Sequence, residues 1–294
     1  MINKVVITKG IYAETELNLL VSFDEQDKVT DVINLVNTKI GTVCEACVEK
    51  VLTDIDACIL KLSTGDKGFI ENKKLKPEKF LERHSEKKLV CQGDRFWVQI
   101  NQDKKSSKPY SCKFLSEVPT NINYNFIDYY IEHFVEQDYE IVSDLPEVIS
   151  KDLNVRAYTD DTYSLWQLYD LTKLIDNLTS KISYIKNGGN IIIEQTEALT
   201  VIDVNSGKNS GKSTAMETNI QALEELARQI RLRSISGIII VDLLKVSKDE
   251  EKHLMELFVA LSKQDYATVD VHGITNLGLL EITRSRMFAP LKIN

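Results

Sequence analysis

The sequence predicts an α/β protein assembled from several subdomains, and three observations carry that expectation. Short β-branched runs follow one another through residues 1–116, helical spacing of apolar residues sets in after Asn123, and the remainder from Asn190 alternates strand and helix. At 294 residues, with 43% hydrophobic and 27% charged side chains and only 12 Gly and 5 Pro, the chain can bury a sizeable core, which excludes collagen-like, low-complexity and wholly disordered classes. The longest apolar stretch, Gly237–Leu244, is far shorter than the roughly 20 residues of a membrane helix and is interrupted by Asp242, so no membrane span is expected. The amino terminus alternates polar and apolar residues and lacks the apolar block of a signal peptide, which predicts a cytoplasmic location.

Taken in order, Lys4–Lys9, Leu17–Phe23 and Thr30–Val36 read as strands too few to close a core alone. Five short strand patterns follow: Gly41–Val48, Ala57–Leu62, Gly68–Ile70, Arg95–Ile100 and Ser111–Phe114. Broken by polar turns, they predict a small barrel of the OB kind. From Phe126, Tyr129, Tyr130 and Phe134 through Leu165, Leu168, Leu171, Leu174, Ile175 and Leu178 the spacing is helical, and the aromatic stripe is read as core. The carboxyl-terminal part predicts strands at Asn190–Glu194 and Ala198–Val204, a helix over Thr214–Arg233, a buried strand at Gly237–Leu244, a helix over Lys248–Lys263, and strands at Thr268–Val271 and Gly278–Thr283. The organisation expected from this is four segments: 1–38, 39–116, 117–189 and 190–294.

The net charge of −8 discourages a nucleic-acid partner when taken over the whole chain. Between Lys39 and Ser116, however, 16 Lys and Arg stand against 11 Asp and Glu, so this segment alone is basic. It could hold RNA or simply be a lysine-rich solvated surface. Of five cysteines, Cys44 and Cys47 form a CxxC with no second pair to complete a zinc site, and reduced strand cysteines are expected.

Two carboxylates stand out because each closes an otherwise apolar strand, Asp203 in Leu199–Val204 and Asp242 in Ile238–Asp242. A charge at that position is paired, solvated or metal-bound, and sites in α/β sheets gather at the carboxyl ends of strands. On adjacent strands the two would offer hard oxygen ligands suited to Mg²⁺, with Asn205 on the same face to orient a carboxylate or a phosphate oxygen. Each aspartate could instead cap the helix that follows, and the residues alone leave both readings open. The run Gly207–Thr214 looks like a phosphate-binding loop, but Gly207 and Gly211 enclose three residues where that loop needs four, so a polar loop is expected.

The ordered blocks Glu197–Gly207, Glu217-Thr218-Asn219, Glu225–Arg233, Gly237–Asp242 and Leu277–Arg284 closely resemble the catalytic region of the ribonuclease E/G family. Asp66–Ile70 and Val98–Ile100 look like that family's inserted OB-fold domain, and Asn123–Gly189 like its RNase H-like portion. The resemblance implies an RNase H-like portion in two segments (1–38 and 117–189), an OB-fold RNA-binding domain (39–116) and a DNase I-like catalytic subdomain (190–294). It implies an Mg²⁺-dependent endoribonuclease acting on single-stranded RNA in processing or decay and leaving 5′-phosphate and 3′-hydroxyl ends. The alternative is a catalytically weak RNA-binding relative. Asp203 and Asp242 correspond to the metal ligands and Asn205 to their supporting asparagine. Phe69 matches an RNA-stacking aromatic, Lys108 a phosphate-contacting lysine, and Arg284 and Arg286 a basic pair at the catalytic face. Without the resemblance, Phe69 reads equally as barrel core and the two arginines as salt-bridge partners.

Departures accompany the match. Lys245 stands where the family has a second aspartate, Ile59 where it has a second barrel aromatic, and Asn276 where it has an arginine. The cysteine pair of the family's zinc link is not in this sequence, and the expectation is a possible homo-oligomer that is not joined through a zinc link. Ser116 leads to Asn123 with almost nothing of the block that senses a 5′-monophosphate. RNAs with 5′-triphosphate, 5′-hydroxyl and 5′-monophosphate ends are therefore expected to be cut at similar rates in matched assays. A monophosphate preference of tenfold or more, about 1.4 kcal/mol, would overturn that expectation.

Overall fold

The computed structural model describes residues 2–36, 38–86, 89–104, 108–121, 123–136, 138–149, 153–207 and 214–291. The chain opens with strands β1 (Ile2–Tyr12), β2 (Thr15–Asp24) and β3 (Val29–Asn34). Next come β4 (Val43–Leu52), β5 (Ala57–Leu62), β6 (Lys67–Glu71), β7 (Arg95–Gln102), β8 (Tyr110–Phe114) and helix α1 (Phe126–Phe134). Then follow β9 (Glu140–Ser143), α2 (Pro146–Ile149), β10 (Val155–Ala157), α3 (Leu165–Leu168), α4 (Leu171–Thr179), β11 (Ile182–Tyr184) and β12 (Asn190–Gln195). The remaining elements are β13 (Leu199–Asn205), α5 (Ala215–Leu232), β14 (Gly237–Asp242), α6 (Lys248–Ser262), β15 (Val269–Ile274) and β16 (Leu279–Arg284). They fall into two compact units, one within 1–34, 138–286 and 290–294, the other within 35–137 and 287–289.

The second unit is a closed barrel in the order β4-β5-β6-β8-β7, as five short strand patterns predict. Alternation along β7 sends Phe96, Val98 and Ile100 inward, where they meet Leu60, Leu62 and Ile70. Closure between β6 and β8 depends on Gly68, because a Cβ there would stand 2.8 Å from Cys112 Sγ. Helix α1 starts on a reciprocal cap, Asn125 accepting from the Ile127 amide and Asp128 from the Asn125 amide, each at 2.9 Å. Phe126 and Tyr130 are buried, so the aromatic stripe is core as expected.

In the first unit, β1 to β3 form an antiparallel meander that β9 and β10 extend on the β1 side by parallel pairing, in the order β10-β9-β1-β2-β3. Three strands indeed do not suffice: Val6, Leu19 and Val21 are covered by Leu165, Trp166, Leu171 and Ile175 from α3 and α4. Gly10 lets the indole lie on the strand, since a Cβ there would come within 2.3 Å of Trp166. The strands β9, β10 and β11 were not anticipated. At three to four residues each they are too short for a period of two to be read.

The second sheet of this unit runs β11-β12-β13-β14-β16-β15, with β13 and β14 parallel and every other pair antiparallel. Helix α5 is the crossover that parallel pairing requires. Its Ala222, Leu223, Leu226 and Ile230, with Leu254 and Phe258 of α6, pack on Ile202, Val204, Ile239 and Val241. The residues between them face the other way, and Val201 and Ile238 are exposed. No helix among the described residues is long and apolar enough to cross a membrane.

Candidate active site at the carboxyl ends of two parallel strands

Asp203 and Asp242 are direct partners across the β13–β14 ladder. Neighbouring strands lie about 4.8 Å apart, so the two carboxylates leave the same sheet face side by side. Both are exposed on the face away from α5 and α6, because Ile202, Val204 and Val241 take the core side of the alternation. Asn205, two residues on, shares that face, and its amide donates to Asp203 Oδ2 at 2.8 Å. The capping alternative is settled: α5 is capped by Thr214 and α6 by Ser247, each in a reciprocal box with a glutamate three residues on. Neither aspartate has a lysine or arginine partner among the described residues. Like charges placed directly opposite in a ladder are destabilising. Two neighbouring carboxylates with a supporting amide and no ion-pair partner among the described residues therefore fit a hard divalent cation.

The end of β13 is held by close backbone packing. A Cβ on Gly189 would lie 2.5 Å from the Asn205 carbonyl oxygen, and one on Gly207 would lie 2.3 Å from that of Gly188. The turn carrying Gly188 and Gly189 is fixed by Asn187, which donates to Thr218 Oγ1 at 2.9 Å and accepts from the Gly189 amide at 3.0 Å. Fully buried Asn219 grips the segment after Asp242 with both ends of its amide, donating to the Leu244 carbonyl at 2.8 Å and accepting from the Leu244 N–H at 3.0 Å. The block Glu217-Thr218-Asn219 thus caps α5, anchors the turn beside Asn205 and clamps the loop beyond Asp242. These positioning roles were missed, although the block itself stood out in the sequence. Residues 208–213 of the glycine-containing loop lie outside the described residues.

The other predicted residues separate. Phe69 and Lys108 belong to the barrel unit. Phe69 is half-buried on the outer surface, with Gly68 and Ile70 turned inward on either side, so it is not barrel core. It faces Ile59 across β5 and Ser111 across β8. Lys108 is exposed two residues before Tyr110, which pairs with Gly68. Lys104, not singled out beforehand, holds its Nζ 5.1 Å from the Tyr110 ring, and Lys39 lies 6.0 Å from the same ring while bound to Asp66. The lysine run at 104–105 was the available signal for it. Residues 105–107 lie outside the described residues.

Arg284 requires a correction, because it is not presented to solvent. It is 2% exposed, grips Asp265 with two 2.8 Å hydrogen bonds and donates to the Ile235 carbonyl at 2.8 Å. In β16 it falls on the core side together with Leu280 and Ile282, out of reach of a polyanion. Arg286 is half-buried and has no ion-pair partner among the described residues. The CxxC is not a chelate: Cys44 and Cys47, three apart in β4, turn to opposite faces. Burial pushes Cys44 and Cys58 up to about 11 and Cys112 to about 12, which leaves all three as inert thiols.

Residues 82–287 match the Ribonuclease E/G family. The chain belongs to the ribonuclease E/G family. It is 31% identical over 214 residues to the putative ribonuclease E of Buchnera aphidicola subsp. Baizongia pistaciae, covering 67% of this chain and 50% of that one. It is 37% identical over 148 residues to ribonuclease G of Escherichia coli K12 (48% and 29%), and 38% identical over 135 residues to the chloroplastic ribonuclease E/G-like protein of Arabidopsis thaliana (44% and 14%). The chain spans half or less of the length of these relatives. Both aspartates, Asn205, Arg284 and Arg286 lie within the stretch that matches the ribonuclease E/G family, whereas Phe69 lies before it.

Arg284→Gln is expected to cost about 3–5 kcal/mol in urea unfolding, since it strands the buried Asp265 carboxylate. RNA affinity of the folded fraction should stay unchanged. A stable Arg284→Gln protein with weakened RNA binding would return this residue to the binding surface.

Proposed function

We propose that the chain is an endoribonuclease that cuts single-stranded RNA, in RNA processing or decay, at the face carrying Asp203, Asn205 and Asp242. The observation that carries this is the in-register pair of exposed carboxylates, with no lysine or arginine partner among the described residues and an asparagine amide on one of them. Mg²⁺ bound by the two aspartates would supply Lewis acidity at the scissile phosphate. Asn205 immobilises one oxygen of Asp203 and so fixes the direction of the other. Asp242 is held by its ladder partner on one side and by the Asn219 clamp on the next residues, so neither carboxylate must reorganise as charge builds on the phosphate. In-line attack by water forms a new P–O bond and breaks the bond to the 3′-oxygen, which leaves with a proton. The products are a 5′-phosphate and a 3′-hydroxyl.

The barrel supplies affinity in this reading. The half-exposed Phe69 ring stacks on a base, while Lys108 and Lys104 face phosphates. The barrel then corresponds to an OB-fold RNA-binding domain (39–116), the β1–β3 region with 117–189 to an RNase H-like portion, and 190–294 to a DNase I-like catalytic subdomain. Cytoplasmic RNA is the proposed substrate pool.

Asp203→Asn and Asp242→Asn are each expected to abolish cleavage of a fluorescent single-stranded RNA while leaving its binding within a few-fold. Differential scanning should show Mg²⁺ raising the melting temperature of the wild type and of neither variant. Binding without any Mg²⁺-dependent cleavage by the wild type would favour the catalytically weak RNA-binding reading. Because Phe69 lies outside the barrel core, Phe69→Ala should leave the thermal transition near that of the wild type and weaken RNA binding by about 1–3 kcal/mol. Unchanged affinity would remove Phe69 from the interface.

A further inference from the structure

A cavity of about 390 Å³ opens beside Asp242, walled by the segment after β14, the start of α6 and the β15–β16 turn. That is within the size range of small-ligand sites. Asp242 stands at its rim, and Lys245, Lys248, Glu251, Asn276 and Leu277 line it. The two lysines differ. Lys248 is neutralised by Glu251 at 2.7 Å, whereas Lys245 has no carboxylate partner among the described residues. Lys245 also projects from a fixed backbone, because buried Asn219 grips the residue before it through both amide ends.

The opposite wall presents Leu277, which is 85% exposed. This exposure does not come from a loose loop. The Thr275 hydroxyl accepts from the amides of Leu277 and Leu279 at 3.2 Å each, the Gly278 amide donates to the Thr275 carbonyl at 2.9 Å, and Gly278 supplies the positive φ of +88° that closes the turn. A rigidly held leucine in water contributes nothing to this fold's core. With an ammonium that has no carboxylate partner among the described residues it forms a site with one anionic and one apolar requirement, and the Asn276 amide, which also lines the cavity, can hydrogen-bond a sugar or base edge.

We propose that this cavity is a nucleotide subsite, in which Lys245 holds the phosphate next to the scissile one and Leu277 contacts the face of the adjoining sugar and base. The assignment rests on the reading of Asp203 and Asp242 as the cleavage centre. It makes Lys245 and Leu277 binding residues that set substrate position and gives Asn219 a reason to be polar and buried.

The test uses the full chain and a fluorescent single-stranded RNA decamer, first in EDTA. Lys245→Ala should weaken binding about three- to tenfold and reduce the slope of log K against log salt by about 0.7, the loss of one phosphate contact on a single strand. Lys245→Arg should restore both, and the charge-neutral double change Lys248→Ala with Glu251→Ala should change neither. In Mg²⁺, Leu277→Ser should raise KM several-fold with kcat little altered. Wild-type affinity and slope in Lys245→Ala would overturn the subsite, as would an equal slope change in the charge-neutral Lys248→Ala, Glu251→Ala double variant. Circular dichroism melts confirm that each variant is folded. The two readings fail separately: no cleavage by the wild type overturns the cleavage centre while the EDTA arm still reads the subsite, and normal cleavage with an unaltered salt slope overturns the subsite alone.

Discussion

The parallel register of β13 on β14 is the constraint on which the rest of the site depends. It places Ile202 beside Val241 on the core side and Asp203 beside Asp242 on the open side in one step. A one-residue slip of either strand would carry its aspartate under α5 and α6, among Leu223, Leu226 and Phe258. An unpaired carboxylate there is far more costly than the repulsion of two exposed ones, so the hydrophobic pattern alone locks the acidic pair in place. The residual repulsion is the cost of holding the two carboxylates side by side, as the proposed cation site requires, and it is borne by a sheet whose other face is packed under α5 and α6.

Parallel pairing needs a crossover, and α5 does more than return the chain. Its first two turns reach both ends of the site, through Thr218 to the Asn187 turn against Asn205 and through Asn219 to the carbonyl and amide of Leu244. One helix therefore fixes the approach of β13's end and the exit from β14. A polar residue with no exposed surface, such as Asn219, makes physical sense only because both of its hydrogen-bonding ends are used.

How far the sequence could be read follows from the length and locality of each signal. The barrel strands, α5, α6 and the two aspartate-ending strands were legible because each repeats its period over enough residues to be distinguished. Thr214 and Ser247, as caps, were the local signals that separate a capping aspartate from a free one, and each stands three residues before a glutamate. Phe69 was ambiguous because Gly68-Phe69-Ile70 fits either inward or outward phase until the neighbouring strands fix it. Arg284 misled for a different reason: its partner Asp265 is 19 residues away in a loop, and only the sheet edge brings them together. Strands β9 and β10, three or four residues long, acquire meaning only when β9 pairs with β1, more than 130 positions earlier, and β10 adds to β9.

Charge is used on the two faces of this unit in opposite ways. On the core side Arg284 closes on Asp265 and Arg231 on Asp31, and both guanidiniums lie over the Tyr266 ring at 5.4 and 5.0 Å. Burial raises the Tyr266 phenol well above its ordinary range, so it stays neutral between the two cations. Each bidentate pair is satisfied internally and ties β3, α5 and β16 into one frame. Buried pairs of this kind add little net stability over an apolar packing, but they specify one arrangement, since any shift leaves a charge unpaired. On the open side Asp203, Asp242 and Lys245 have no ionic partner among the described residues. Fixing the frame with closed pairs underneath is what allows the open ones above to remain in place, as the proposed metal and phosphate contacts require.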